Sequence, residues 1–196
     1  YILILNNDTE VPPDLLEKLI RTAQADEKNA IVGPLINEKN RLVCGGRIRW
    51  LKPELNHTEC EGLDIEQTLH HILYDKYYIP GSCMLIKRQT IEKIGFLPEE
   101  YFLYFEDADY CLKAFKTGLK CAITADTAVN HREHGSTAKI GSPLVLRYHF
   151  RNSLYFNRKN GPFWAKIGLY PWSLWIIGKQ ALKMAIGRHT EQSKAI

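Results

Sequence analysis

Apolar and polar residues fall in short alternating blocks along this chain. Tyr1-Ile2-Leu3-Ile4-Leu5 is a continuous apolar run, which predicts a strand buried on both faces. The run stops at Asn6-Asn7-Asp8-Thr9. Pro12-Pro13-Asp14 then opens a helix that places Leu15, Leu16, Leu19, Ile20 and Ala23 on one face. Ala30 to Ile36 predicts another strand, and Arg41 to Trp50 a hairpin bent at Gly45-Gly46. Residues 51–75 are polar and irregular, with a short helix expected near Ile65–Leu73. Cys83 to Lys87 predicts a strand, and Thr90 to Ile94 a short helix stopped at Gly95. Glu106 to Thr117 reads as a helix ended by Gly118, followed by two short strands, Leu119–Thr124 and Thr127–Asn130. From Pro143 the pattern is helical to the end. Strands alternating with helices predict an α/β domain with a mostly parallel or mixed sheet.

Composition narrows the class. Of 196 residues, 45% are apolar and 24% charged, ordinary usage for a folded soluble domain and unlike a disordered or polytopic membrane chain. Five cysteines, an odd number with no CxxC among them, resemble neither a disulfide framework nor a zinc site, so reduced thiols are expected. The net charge of +4 hides an asymmetry. Residues 147–196 carry nine Lys/Arg against Glu191 alone, a net +8, which leaves −4 for the preceding part. The chain opens at Tyr1, inside an apolar run, and so reads as a piece of a longer protein.

Two acidic sites can carry chemistry. Asp8 follows an apolar strand, and polar residues there face the crevice in which open α/β sheets bind ligands. On local sequence alone, Asp8 reads equally as an oxygen ligand for a hard cation and as a cap of the following turn or helix. The second site, Glu106-Asp107-Ala108-Asp109, sets three carboxylates within four residues beside Phe102, Tyr104 and Phe105. The first turn of a helix stabilises acids, but apolar surroundings also raise a carboxyl pKa, as a general base requires. Asp107 and Asp109 lie on different helix faces, so one can face the crevice while the other anchors the helix. His131 ends a short strand and can complete a Mg²⁺ or Mn²⁺ site with Asp8; sharing a zinc ion with His134 would need ligands the cysteines do not offer.

Four segments in order, Leu5-Asn6-Asn7-Asp8-Thr9-Glu10-Val11, Pro80-Gly81-Ser82-Cys83-Met84-Leu85-Ile86, Phe102 through Leu112, and Ala128-Val129-Asn130-His131, closely resemble the family 2 glycosyltransferases, rhamnosyltransferase-like branch. The resemblance covers Tyr1 to about residue 160, and Arg151-Asn152 on a Tyr/Phe-rich helix adds to it. It implies a GT-A (Rossmann-like) fold, a mixed sheet flanked by helices, that binds a nucleotide-diphosphate sugar. Asn6-Asn7-Asp8 aligns with the DXD motif, Asn6 standing where an acid is common. Asp8 and His131 then coordinate Mg²⁺ or Mn²⁺ at the diphosphate, and Asn6 and Asn7 share the donor site. Asp107 aligns with the catalytic base, Glu106 and Asp109 support it, and Gly81 and Ser82 line the sugar–acceptor pocket. The family's domain begins with nucleotide-binding strands ahead of the DXD strand, which this chain is expected to lack. Residues 1–142 are then the C-terminal portion of the catalytic domain and 143–196 a basic, aromatic helical extension.

In that extension Ile167–Gly178 is uncharged for only 12 residues, too short to span a bilayer, and Pro171 is expected to cap or kink it. Leu174, Ile177, Ala181 and Ala185 share one helical face, with Lys179 and Lys183 elsewhere. Aromatics beside lysines suit an anionic membrane surface, so a peripheral site on the inner face of the cell membrane, cytoplasmic side, is expected. The other reading is a helix packed on the catalytic domain or on a partner subunit, and a homo-oligomer is compatible with it. No nucleic-acid partner is expected, since no recognition motif accompanies the charge.

The main functional expectation is an inverting, metal-dependent glycosyltransferase that moves a sugar, rhamnose by branch resemblance, from a nucleotide-diphosphate donor to a glycan or lipid-linked acceptor in cell-surface polysaccharide synthesis. The alternatives are a nucleotidyltransferase of related fold and a non-catalytic glycan-binding or scaffold fragment.

Overall fold

A computed structural model describes residues 1–38, 41–52, 55–60, 72–73, 77–131 and 142–186. The predicted α/β class is observed: nine strands among these residues form one open mixed sheet, and five α-helices are found among them as well. The chain divides into two compact units.

The first unit holds the sheet and three of the helices. Its strands are β1 (Ile2–Leu5), β2 (Thr9–Glu10), β3 (Asn29–Glu38), β4 (Arg41–Arg47), β5 (Asn56–Glu59), β6 (Ile72–Leu73), β7 (Tyr77–Tyr78), β8 (Cys83–Ile86) and β9 (Lys120–His131). Its helices are α1 (Leu15–Gln24), α2 (Arg88–Ile94) and α3 (Glu106–Lys116). The order β1-β8-β3-β4-β5 is antiparallel throughout, and β9 runs parallel to β3. The far edge of β9 takes β6 along its first half and β2 at its end. α1 buries Leu15, Leu19 and Ala23 against Val32, Cys83, Leu85, Ala122 and Val129, the core that holds β3, β8 and β9 in register.

Several expectations are corrected. β1 is half-exposed rather than buried on both faces, because among the described residues it pairs with β8 alone. The Gly45-Gly46 pair is not a hairpin turn but an irregularity inside β4, with Gly45 at φ 82°. Gly46 has no room for a side chain there, since a Cβ would collide with the Tyr78 ring. The two strands expected after Gly118 are one strand, β9, whose register against β3 shifts between Pro34 and Leu35. That shift frees Asp126 to accept from Arg21 while its backbone carbonyl accepts from Lys18, both on α1. Leu16, expected on the buried face of α1, is exposed. Of the helix expected near Ile65–Leu73, Ile72 and Leu73 are strand, and the remainder lies outside the described residues. All five cysteines are free thiols, and four are buried.

The second unit contains α4 (Ser142–Asn160) and α5 (Phe163–Ala185), together with two excursions from the earlier chain at 49–52 and 101–105. Both excursions are strained: Leu51, Phe102, Tyr104 and Phe105 are non-glycine residues at φ 58–76°, a region costing about 1–2 kcal/mol per residue. α4 receives them with a buried polar row. Ser153 Oγ donates to Lys52 O, Asn157 Oδ1 accepts from Leu51 N, and Asn152 Nδ2 donates to carbonyls of the second excursion. α5 runs through Pro171 as one helix. It buries Ala165, Leu169 and Gln180, whereas Leu174 and Ile177 on the expected apolar face are exposed.

Candidate functional site

Backbone pairing assembles the site inside the first unit. β1 pairs with β8 from Ile2↔Ile86 to Leu5↔Cys83, and Asn6 N extends the ladder one step by donating to Ser82 O at 3.0 Å. The chain then turns at Asn7-Asp8, the turn held by Thr9 Oγ1 donating to Asn6 O at 2.6 Å. Thr9 pairs with His131 at the end of β9. The ladder therefore delivers Asp8 to His131, with Asp8 Oδ1 3.4 Å from His131 Nε2. Asp8 does not cap α1, whose N-cap residue is Asp14.

The other nitrogen of His131 is held too. Its Nδ1 lies 3.1 Å from Glu38 Oε1, and Glu38 Oε2 lies 2.7 Å from His57 Nδ1. Glu38 is only 5% exposed. Burial pushes its carboxyl up, but the hydrogen bonds of His131 and His57 outweigh that and bring it to about 2. The same bond to Glu38 raises the His131 pKa, against the opposing effect of burial. A histidine with one nitrogen on a buried carboxylate and the other facing a second carboxylate has the form of a metal ligand with its outer-shell partner. Asp8 and His131 make a two-donor set, and no cluster of three or more His, Cys, Asp or Glu suited to a metal occurs among the described residues. A two-donor set fits Mg²⁺ or Mn²⁺, which take most of their shell from water and substrate phosphates, and does not fit structural zinc. His134 lies outside the described residues.

The second cluster stands where Ser82 does. Gly81 N donates to Asp107 Oδ2 at 3.0 Å, and Ala108 N lies 2.7 Å from Asp107 Oδ1. Asp107 and Glu106 share the first turn of α3. Burial, opposed by the Gly81 N–H, raises the Asp107 carboxyl above its ordinary range. Burial, reinforced by the Asp107 charge, pushes Glu106 to about 7. Among the described residues neither Glu106 Oε2 nor Ser82 Oγ has a hydrogen-bond partner, although both are buried. A Cβ on Gly81 would sit 3.7 Å from Asp107 Cβ, an ordinary contact, so packing alone does not require glycine there. Asp109 is buried, at 3% exposure.

The structure thus brings Asp8 and His131 together, brings Asp107 and Glu106 to Gly81-Ser82, and links the two groups through the Asn6–Ser82 bond. Asn6 and Asn7 are exposed on the turn. Glu38 and His57 were not visible as site residues. The signal for Glu38 was present, a polar residue ending an apolar strand as Asp8 nearly does; His57 sits in an irregular polar stretch that carries no pattern.

No model of a known protein family matches the chain. Individual proteins do match. The N-acetylglucosaminyl-diphospho-decaprenol L-rhamnosyltransferase of Mycobacterium tuberculosis is 21% identical over 175 residues, 84% of this chain and 57% of that protein. The dTDP-rhamnosyl transferase RfbF of Shigella flexneri is 22% identical over 171 residues, 81% of this chain and 54% of that one. The low-salt glycan biosynthesis hexosyltransferase Agl10 of Haloferax volcanii is 23% identical over 154 residues, 77% and 48%. The chain spans about half the length of these relatives. The four motifs and the open mixed sheet thus accompany a sequence similarity to part of the length of these glycosyltransferases.

Proposed function

We propose that the protein containing this chain transfers a sugar from a nucleotide-diphosphate donor to a glycan or lipid-linked acceptor with inversion, and that Asp107 is the base. The observation that carries this reading is the Asp107 carboxylate held by Gly81 N–H at 3.0 Å, its pKa raised by burial, on a backbone tied to the Asp8–His131 pair. A raised carboxyl pKa brings the base closer to that of the proton it must take.

In the reaction the acceptor hydroxyl attacks the anomeric carbon and its proton passes to Asp107. The bond from that carbon to the diphosphate oxygen breaks, and the nucleoside diphosphate leaves with both electrons. A bound Mg²⁺ or Mn²⁺ supplies Lewis-acid neutralisation of that leaving charge. Asp8 and His131 would hold it, and Glu38 fixes the imidazole so that Nε2 faces Asp8. Gly81 and Ser82 bound the sugar beside the base. Glu106 keeps the base's surroundings short of negative charge when protonated, and Asp109 anchors α3. The sugar we assign is rhamnose, the sugar named for two of the relatives.

Asp107→Asn in the full-length protein tests this reading. Amide replaces carboxylate at constant shape, and transfer should fall by about 10²–10⁴-fold, the usual worth of a positioned general base. Transfer at near-normal rate would sink the assignment.

The second part of the proposal is peripheral binding of α5 to the cytoplasmic face of an anionic membrane. Trp164, Tyr170, Leu174 and Trp175 are exposed, Lys179 lies 4.9 Å from the Trp175 ring centre, and the helix contains no acid. No described helix is long and apolar enough to cross a membrane. Deleting residues 163–196 should move the protein from the membrane to the soluble fraction; an unchanged distribution would refute the role.

A further inference from the structure

Strand alternation tells which side chains of the first unit meet α3. Along β9, Ala122 packs into the α1 core, whereas its neighbour Cys121 shares a hydrogen bond with Cys111 of α3. α3 therefore lies on the sheet face opposite α1. Along β8, Cys83 and Leu85 belong to the α1 core. Asn6 N, donating to Ser82 O, continues the β1–β8 ladder one residue before Cys83. Alternation then puts Ser82 on the other face, the one that carries Glu106 and Asp107.

The two carboxyls flank Gly81. A Cβ built on Gly81 would lie 3.8 Å from Asp107 Oδ2 and 3.9 Å from Glu106 Oε1. Both carboxyls thus border one spot over Gly81, and glycine leaves that spot open. Asp107 accepts from Gly81 N. Ser82 Oγ and Glu106 Oε2 are different: both atoms are buried without a hydrogen-bond partner among the described residues, and Ser82 is only 6% exposed. Buried polar atoms are ordinarily paired, so two left open beside an open spot mark where a ligand's polar group belongs. Their chemistry selects that group. A serine hydroxyl both donates and accepts, and so does a protonated carboxyl. Glu106 keeps its proton up to about pH 7, because it is buried and faces the Asp107 charge. A phosphate there would be repelled by Asp107. A neutral hydroxyl matches the set.

We propose that Ser82 Oγ and the Glu106 carboxyl hold a second hydroxyl of the acceptor, beside the one that Asp107 deprotonates, so that the acceptor is a diol at the point of attack. This rests on the glycosyl-transfer reading above, which gives Asp107 the reacting hydroxyl. The second hydroxyl keeps its own proton and carbon and exchanges hydrogen bonds only. Ser82 and Glu106 thereby determine specificity, while Asp107 performs the proton transfer.

The test gives the full-length protein ring-sized probes: cyclohexanol, and cis- and trans-cyclohexane-1,2-diol. Affinity is read by proton saturation transfer to the probe with protein alone, and again by the change in nucleoside-diphosphate release from dTDP-rhamnose as probe is added. The better diol should bind at least about tenfold more tightly than cyclohexanol. S82A and E106A should each cut that preference below about threefold, whereas E106Q, whose amide also donates and accepts, should keep it. G81A sets a methyl group in the open spot at ordinary contact distances. It should weaken the diol at least about tenfold and leave the thermal midpoint in place, and with S82A it decides the matter if E106A does not fold. A diol bound no better than cyclohexanol, or a preference that survives both S82A and G81A, would overturn the inference. Release by D107N at near-normal rate sinks the assignment of the base instead, and the saturation-transfer comparison still judges the diol site.

Discussion

Glu106→Gln isolates the electrostatics of the candidate base. Glu106 titrates at about 7 in the folded chain against an ordinary 4.5, because it is buried and faces Asp107. The folded state therefore keeps a proton that the unfolded chain releases, and stability falls as pH rises through the window from 4.5 to about 7. The full effect is about 3 kcal/mol, of which roughly 1 kcal/mol is lost by pH 5 and nearly all by pH 7. Glutamine cannot ionise, so E106Q should escape that loss. Urea unfolding at pH 5 and pH 7 measures it: at a slope of about 2 kcal/mol per M, the wild-type midpoint should drop about 1 M relative to E106Q over that interval. Glu106 is still protonated where Asp107 ionises, so E106Q should leave the acid limb of transfer in place. Midpoints that fall in parallel would show that Glu106 holds no such proton, and a displaced acid limb would show that it is charged where the base titrates.

Two further outcomes follow from the geometry. E38Q removes the buried anion behind His131, so Mn²⁺ affinity, measured calorimetrically with a nucleoside diphosphate present, should weaken by about 10–100-fold; unchanged affinity would remove Glu38 from the metal-orienting role. Gly46→Ala drives a Cβ into the Tyr78 ring and should destabilise by about 1–3 kcal/mol, read by thermal unfolding, whereas a neutral result would mean that β4 and β7 repack freely.

The fold class was legible because periodicity survives in the burial pattern: the apolar run Ala30–Ile36 is the buried middle of β3, and Glu106–Thr117 is α3 to within one residue. What misled was local chemistry read without neighbours. Gly45-Gly46 has a turn's composition, but Tyr78 arriving from elsewhere makes glycine obligatory inside a strand. Tyr1–Leu5 is apolar enough for a central strand, yet pairing places it beside β8 alone among the described residues. Of the residues expected at the site, Asp8, His131, Asp107 and Gly81 are brought by the structure into two linked groups. Glu38 and His57 escaped because their meeting depends on the register of β3, β4 and β5, which no short-range pattern encodes.

The aromatic run before α3 shows why such residues are hard to read. In sequence Phe102, Tyr104 and Phe105 suggest apolar cover for the acids. In the structure Phe102 is mostly exposed, and the rings serve the backbone instead. Three left-handed non-glycine residues cost about 3–6 kcal/mol together. Four ring pairs with α4, at about 0.5–1.5 kcal/mol each, contribute about 2–6 kcal/mol and so offset that cost. Glycine would relieve the backbone but would surrender the rings, leaving a segment free to take other paths. The side chains thus make contacts that only the strained path permits.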